Sequence, residues 1–235
     1  MNDLKKRRRD CSVKLVLTSG GISNKGIEKE LINIVGKDLK NLKLLFCTTA
    51  SNYEGGVMND WLVKDLICLD KLGFKIDVCD INGANKEHLL PRFEWADILY
   101  FEGGNTQWLR NCIKNSGLEE HLVKLLETRI WVGASAGSCV LSPTVDNPVC
   151  DIFDDNVEGY PADGLNLVNF QFIPHFNNKD FPKVSEENIR RVSEKLTKAD
   201  GEKVYVLDDN SAIFIDNGTM KIISEGNWFE VEVQE

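Results

Sequence analysis

The sequence feature that most constrains the fold is segment 129–141, RIWVGASAGSCVL. A short apolar run leads into Gly133-Ala134-Ser135-Ala136-Gly137, and a second apolar stretch follows. This G-x-S-x-G pattern is typical of a nucleophile elbow, a sharp strand-to-helix turn with a serine at its apex. The flanking residues must be small, since larger side chains would collide across the turn. The pattern predicts a nucleophilic Ser135 and an Ala136 N–H that the helix start directs at the site. The alternative is a glycine-rich turn with an incidental serine.

Strand-like and helix-like segments alternate before the elbow and through it. Near-continuous apolar runs, typical of strands buried on both faces of a parallel sheet, lie at 13–19, 43–49, 74–81, 97–101 and 130–132. Helical spacing of apolar residues occurs at 25–39, 58–72, 107–114 and 118–126, and a helical turn at 86–90 that Pro91 ends. The alternation predicts an α/β fold with a doubly wound, mostly parallel sheet. In the helix at 58–72, the face that we expect to point inward comprises Trp61, Leu62, Leu66, Leu69 and Leu72.

The rest of the chain predicts additions to that sheet. We expect residues 1–12, which include five consecutive basic residues, to form a disordered tail, and residues 13–235 to form one domain. Residues 142–164 lack periodicity and predict a long loop or lid over the site. Strands at 166–174 and 203–207 flank an amphipathic helix at 184–196. Segments 212–216, 220–224 and 229–233 predict a C-terminal antiparallel extension.

Charge and cysteine content exclude several classes of protein. The net charge of −9 and the lack of a basic stripe in the body of the chain argue against nucleic-acid binding. The seven cysteines are scattered without C-x-x-C pairs, so we expect neither a zinc cluster nor a disulfide framework. No apolar run is long enough to span a membrane. We expect a cytoplasmic protein that is a monomer or a homodimer.

A nucleophilic serine needs a base, and the chain offers three histidines. Helical spacing places His121 among charges on a solvated face, and His88 lies in a polar turn. His175 ends an apolar strand, as the other loop-tip residues do, and is the candidate base by elimination. The alternative is a histidine whose ring is satisfied by a loop carbonyl.

An acid and oxyanion donors would complete the site. Asp208 and Asp209 end the next strand, and strand alternation lets at most one of them face His175. The alternative for this pair is turn chemistry. Gly103 and Gly104 close a neighbouring strand and bring backbone N–H groups close because no side chain intervenes.

Four segments carry a family resemblance: GGNTQWL at 103–109, GASAGS at 133–138, LNLVNFQFIPHFNN at 165–178 and LDDNSAIF at 207–214. Together they resemble the peptidase E (aspartyl dipeptidase) family, of which cyanophycinase is a relative. The resemblance implies a flavodoxin-like sheet related to class I glutamine amidotransferases. It also implies Ser135 as nucleophile, His175 as base and Asp209 as acid. The family's GGN loop, which supplies oxyanion donors, matches Gly103, Gly104 and Asn105.

These observations predict a serine peptidase that acts on short peptides and needs no metal or cofactor. Oxyanion donors are expected from Gly103, Gly104 and Ala136, and substrate contacts from Asn105 and Asn177. Aspartyl specificity would need basic residues near the site, yet the loops at 51–56, 103–106 and 142–164 contain no arginine. The alternatives are a cyanophycinase-like isopeptidase or esterase and, from another class, a catalytically silent binding or regulatory module.

Overall fold

The computed structural model describes residues 13–53, 60–153 and 157–234. The predicted tail at 1–12 and the first two residues of the helix predicted at 58–72 lie outside these ranges. The described strands are β1 Lys14–Thr18, β2 Lys43–Cys47, β3 Lys75–Cys79, β4 Ile98–Phe101, β5 Ile130–Ala134, β6 Phe170–Ile173, β7 Lys203–Leu207, β8 Ser211–Asp216, β9 Thr219–Ser224 and β10 Trp228–Glu232. The described helices are α1 Lys25–Val35, α2 Asp60–Lys71, α3 Lys86–Trp95, α4 Thr106–Asn115, α5 Glu119–Leu126, α6 Ala136–Cys139 and α7 Glu186–Ser193.

A seven-stranded sheet has the order β3-β2-β4-β5-β1-β8-β9. Its first five strands are parallel, and β8 and β9 continue it antiparallel beside β1. The chain runs from β2 outward to β3 and then returns to β4 on the other side of β2. Such a reversal opens a crevice at the carboxyl ends of β2 and β4, where ligands bind in folds of this class. The loops that follow β1, β2, β4 and β5 all lie at this edge.

Strands β1, β2, β4 and β5 are buried on both faces because helices cover each side. The edge strand β3 departs from the prediction for 74–81, since it has a neighbour on one side only and Val78 is 52% exposed. On β4, Leu99 and Phe101 join one apolar core, whereas Ile98 and Tyr100 join the other. This alternation explains the near-continuous apolar runs in the sequence. Among the described residues, no helix is both long enough and apolar enough to cross a lipid bilayer.

Two predictions about helices were wrong. Helix α3 does not end at Pro91 but continues to Trp95, because Leu89 and Phe93, four residues apart, are both buried in the core. Packing this pair outweighs the hydrogen bond that proline cannot donate. Trp61 was expected to point inward on α2 but is 38% exposed. The first turn of α2 lies at the carboxyl edge of the sheet, and the Trp61 ring lies near Gly103.

A second, three-stranded sheet has the order β10-β7-β6. Strands β6 and β7 are parallel, and β10 is antiparallel to β7. The predicted strand at 229–233 therefore does not extend the main sheet: β10 crosses to the second sheet, and Val233 just after it is buried in a third apolar core. The predicted strand at 166–174 is shortened to β6, because the residues before β6 bond instead to the chain after the elbow, with the Leu167 N–H donating to Leu141 O at 2.9 Å.

The predicted loop at 142–164 is anchored at both ends in its described parts. Residues Thr144 and Asp163 form an isolated β-bridge, and Cys150–Phe153 form a 3-10 turn. Arg110 of α4 is 1% exposed and binds the Asp163 carboxylate at 2.7 Å and its carbonyl oxygen at 2.9 Å. These bonds fix one end of the loop to the main sheet's helical layer.

Candidate active site

Ser135 lies at the apex of the turn between β5 and α6. Its backbone has φ 47° and ψ −110°, a strained conformation for a residue with a side chain. Two glycines permit this turn: a Cβ on Gly133 would overlap the carbonyl of Gly137, and a Cβ on Gly137 would overlap the carbonyl of Phe101. The Ser135 N–H donates to Thr18 O at 3.0 Å. The elbow is thus fixed by backbone contacts with both neighbouring strands.

His175 follows β6 and reaches Ser135 from the second sheet. Its Nε2 lies 2.9 Å from Ser135 Oγ, and its Nδ1 lies 2.7 Å from Asp209 Oδ1. An ionised carboxylate only accepts hydrogen bonds, so Nδ1 carries the proton. Nε2 is left to accept from the serine hydroxyl, which is the arrangement that a general base requires.

Asp209 is held by three donors. Ser19 Oγ donates to Oδ1 at 2.6 Å and Asn178 Nδ2 donates to Oδ2 at 2.7 Å, in addition to His175. Burial raises the pKa of Asp209, but the bond and charge of His175 and the bonds from Ser19 and Asn178 outweigh it and lower the pKa to about 2. The carboxylate therefore stays ionised near neutral pH.

Asp208 points away from His175, as alternation along the chain requires. Its Oδ1 accepts from Ser211 Oγ at 2.6 Å and from the Asn210 N–H at 3.0 Å, and its Oδ2 accepts from the Asn227 N–H. These bonds hold the turn into β8 and the entry to β10. Of the two aspartates, only Asp209 contacts the imidazole.

The Gly103-Gly104 loop borders Ser135. A Cβ on Gly103 would lie 3.2 Å from Ser135 Cβ. Gly104 has φ 126°, and a Cβ there would overlap the Ala50 carbonyl, so only glycine fits. The Gly103 N–H already donates to Glu102 Oε1 at 3.1 Å. Of the three donors expected from sequence, the Gly103 N–H is occupied by Glu102 in this structure, which leaves Gly104 and Ala136 as the candidate donors.

Comparison with known proteins identifies the family to which the chain belongs. The chain matches Peptidase family S51 over residues 15–223, which is most of its length. The protein belongs to peptidase family S51. It is therefore a peptidase-type hydrolase, and the resemblance to the peptidase E family is confirmed.

Relatives of this S51 chain include two proteins of known sequence. An uncharacterized peptidase of Listeria innocua is 27% identical over 157 residues, which cover 64% of this chain and 72% of that protein. Peptidase E of a Nostoc species is 26% identical over 165 residues, which cover 68% and 62%.

Two solved structures share the fold. A candidate peptidase E protein from Listeria monocytogenes EGD-e superimposes with a TM-score of 0.75 at 22% identity, covering 91% of this chain and 99% of that one. A peptidase from an acI-B1 Actinobacterium gives a TM-score of 0.68 at 18% identity and covers 96% of both chains. The predicted α/β fold class is confirmed.

The two asparagines expected to contact substrate lie in different settings in this S51 peptidase. Asn105 is 3% exposed, and its Oδ1 accepts from the Trp108 N–H at 2.8 Å, so this oxygen caps α4. Asn177 is exposed, and its neighbour Asn178 is the residue that contacts Asp209.

Two aromatic rings contact the imidazole of His175. The His175 ring stacks on Phe181 with centroids 4.2 Å apart and an interplanar angle of 9°. Phe153, at the end of the 3-10 turn in the long loop, meets the imidazole edge-on at 6.5 Å. These contacts restrict rotation of the ring and connect the long loop to the site.

Sequence reasoning missed four residues of this S51 site. Ser19 and Asn178 are short polar residues of common type, and their signal was only their place beside a glycine pair and beside His175. Phe181 and Glu102 lie in loops without periodicity. The other histidines lie elsewhere: His88 Nδ1 is 2.7 Å from Asn85 Oδ1 at the exposed start of α3, and His121 is half-buried rather than solvated. Within the described ranges, no group of three or more His, Cys, Asp or Glu is arranged to hold a metal ion.

Proposed function

We propose that this protein is a serine peptidase that hydrolyses short peptides through an acyl-enzyme on Ser135. The observation that carries the proposal is the continuous chain of short contacts from Ser135 Oγ through the His175 ring to Asp209. It starts at a serine held in the strained conformation of a nucleophile elbow. A structural serine would need neither feature.

The reaction follows from these contacts. His175 Nε2 takes the hydroxyl proton as Ser135 Oγ attacks the peptide carbonyl carbon. The same nitrogen then gives the proton to the amine as the C–N bond breaks. Water attacks the acyl-enzyme and loses a proton to Nε2, which then gives this proton to Ser135 Oγ as the acid product leaves. Asp209 stabilises the imidazolium in both steps.

The developing oxyanion needs backbone donors. We assign this role to the N–H groups of Gly104 and Ala136, the latter at the start of α6. Asn177, exposed close to His175, is a candidate contact for the substrate. The long loop at 142–164, which reaches His175 through Phe153, favours short peptides over folded proteins.

The test is labelling with a fluorophosphonate probe, which reacts with activated serines. We expect wild type to be labelled, Ser135→Ala to lose all label, and His175→Ala to label about a thousandfold more slowly. Ser23→Ala and His88→Ala, both exposed positions, serve as matched controls and keep the label.

Assays with a panel of dipeptides, with β-aspartyl isopeptides and with the ester p-nitrophenyl acetate then separate the substrate classes. Hydrolysis of dipeptides supports the proposal, whereas hydrolysis of the ester or of β-aspartyl isopeptides alone would favour the two enzyme alternatives. A folded wild type that neither labels nor hydrolyses any of these substrates would refute the proposal in favour of a silent module.

A further inference from the structure

A buried carboxyl group lies beneath the loop that borders Ser135. Glu102 follows β4, is 2% exposed and takes no part in the proposed triad. Its Oε1 accepts the Gly103 N–H, and its Oε2 is buried without any hydrogen bond among the residues the structure describes. A buried polar atom without a partner costs free energy, so stability alone does not account for a glutamate here.

The loop held by Glu102 is tied at three points. Ser51 Oγ donates to Gly103 O at 2.8 Å, and the Asn105 N–H donates to Ala50 O at 3.1 Å. The bond from the Gly103 N–H to Glu102 is the third, and it alone depends on a titratable group. It fixes the Glu102–Gly103 peptide, which adjoins the Gly103–Gly104 peptide that carries the Gly104 N–H.

The surroundings of Glu102 favour its neutral form. Burial raises the pKa of Glu102 well above its usual range, and the charge of Asp65 on α2 raises it further. Asp65 accepts the Tyr100 hydroxyl at 2.7 Å, and burial raises the pKa of Asp65 to about 6. Tyr100, on the strand that Glu102 follows, and Cys68 of α2 are the other titratable groups that interact with this pair. Among the described residues, no charged group other than Asp65 shifts the pKa of Glu102.

We propose that neutral Glu102 is a positioning residue, which holds Gly103 so that the Gly104 N–H faces the oxyanion formed at Ser135. The proposal rests on the proposed function. With the Gly103 N–H occupied, the donors that remain are Gly104 and Ala136. Ionised Glu102 would place a negative charge beside the developing oxyanion and oppose its formation. The neutral form supplies the same acceptor without that charge.

The experiment measures the second-order rate of fluorophosphonate labelling between about pH 6 and pH 10 for wild type, Glu102→Gln and Glu102→Ala. We expect the wild-type rate to fall on the alkaline side as Glu102 ionises, and Glu102→Gln to lack this fall, since the amide keeps the acceptor and stays neutral. At neutral pH, Glu102→Gln should label within about threefold of wild type, whereas Glu102→Ala, which releases Gly103, should label about tenfold to a hundredfold more slowly.

Asp65→Asn keeps the test decisive if the Glu102 variants do not fold. It removes the charge that raises the pKa of Glu102, so the alkaline fall should begin at lower pH. Asp70→Asn, exposed on the same helix, is the matched control and leaves the profile as in wild type.

An alkaline fall that is identical in wild type and Glu102→Gln, or absent from wild type, would overturn this inference and leave the proposed function intact. Absence of labelling in wild type at every pH would instead overturn the proposed function. A purely structural role for Glu102 would change the melting temperature of its variants but not the position of the alkaline fall.

Discussion

The proposed nucleophile and its proposed partners are held in two different ways. Ser135 is fixed by the backbone of the seven-stranded sheet, where glycine contacts leave no room for a Cβ. His175 and Asp209 come from the second sheet and are fixed by side-chain hydrogen bonds and ring stacking. A position defined by backbone contacts is kept or lost as a whole. One defined by side chains can be weakened in steps.

The largest expected effect comes from disrupting the backbone contacts that hold Ser135. Gly137→Ala would force a Cβ against the Phe101 carbonyl, and we expect a loss of about 3 kcal/mol or more in the free energy of unfolding, with loss of labelling. Urea unfolding and fluorophosphonate labelling measure the two effects.

Gly218→Ala is the control for that substitution. Gly218 has φ 82° but open space around its Cβ position, so it should cost only about 1 kcal/mol from backbone strain. Equal losses at Gly137 and Gly218 would show that the elbow does not depend on close backbone contact.

The next prediction distinguishes the roles of the adjacent residues Asp208 and Asp209. Asp209→Asn should reduce the labelling rate about a thousandfold or more, because an amide does not stabilise the imidazolium. It should also lower the free energy of unfolding at neutral pH, because the bonds that hold the carboxylate lower its pKa to about 2. Asp208→Asn should lower the free energy of unfolding by about 1 to 3 kcal/mol, since it disrupts bonds to Ser211 and Asn227, but should leave the labelling rate close to that of wild type. The reverse pattern would contradict the assignment of Asp209 as the acid.

A smaller, graded effect is expected from the side chains that hold Asp209. Ser19→Ala removes a hydroxyl that donates to Asp209 and accepts from the backbone N–H of His175. We expect labelling to be about tenfold slower. Asn178→Ala removes one donor only and should have the smaller effect. Labelling rates of the two variants and their combination would measure the coupling, and complete loss in either single variant would contradict the stepwise behaviour.

The last expected effect is on the pH dependence of stability and comes from Asp65 of α2. The pKa of Asp65 is raised from 3.8 to about 6, so between these values the folded state binds more protons than the unfolded chain. The free energy of unfolding must therefore fall as pH rises through this window. Asp65→Asn should lack this fall and be more stable than wild type at pH 8. Thermal unfolding from about pH 4 to pH 8 measures it, with Asp70→Asn as control. A wild-type dependence retained in Asp65→Asn would exclude this carboxyl as the cause.

The sequence predicted the parallel sheet well, because buried strands, glycine-marked turns and amphipathic helices are local signals. It predicted Ser135 for the same reason, since the elbow is contained in five consecutive residues. Pro91 was misjudged because a local rule about proline was outweighed by the burial of Leu89 and Phe93, which depends on the whole core. The destination of β10 was likewise a matter of pairing, which strand propensity does not encode.

The partners of Ser135 were less accessible to sequence reasoning. His175 was found only by eliminating two other histidines, and Asp209 by resemblance, because alternation alone did not choose between it and Asp208. Ser19 is 190 residues from Asp209 in the chain, and no periodicity connects them. Glu102 was overlooked because a glutamate next to a glycine pair looks like an exposed loop residue until its burial is known.

The bonds from Ser19 to Asp209 and from His175 to Ser19 join the two ends of the chain. During synthesis the elbow leaves the ribosome long before Asp209, so the growing chain carries a serine without its base and acid. The proposed triad is assembled only when the C-terminal strands have docked. Their contacts join residues far apart in the sequence, and such contacts form late in folding. Under the proposed mechanism, a chain that stops before Asp209 would therefore lack this hydrolytic activity.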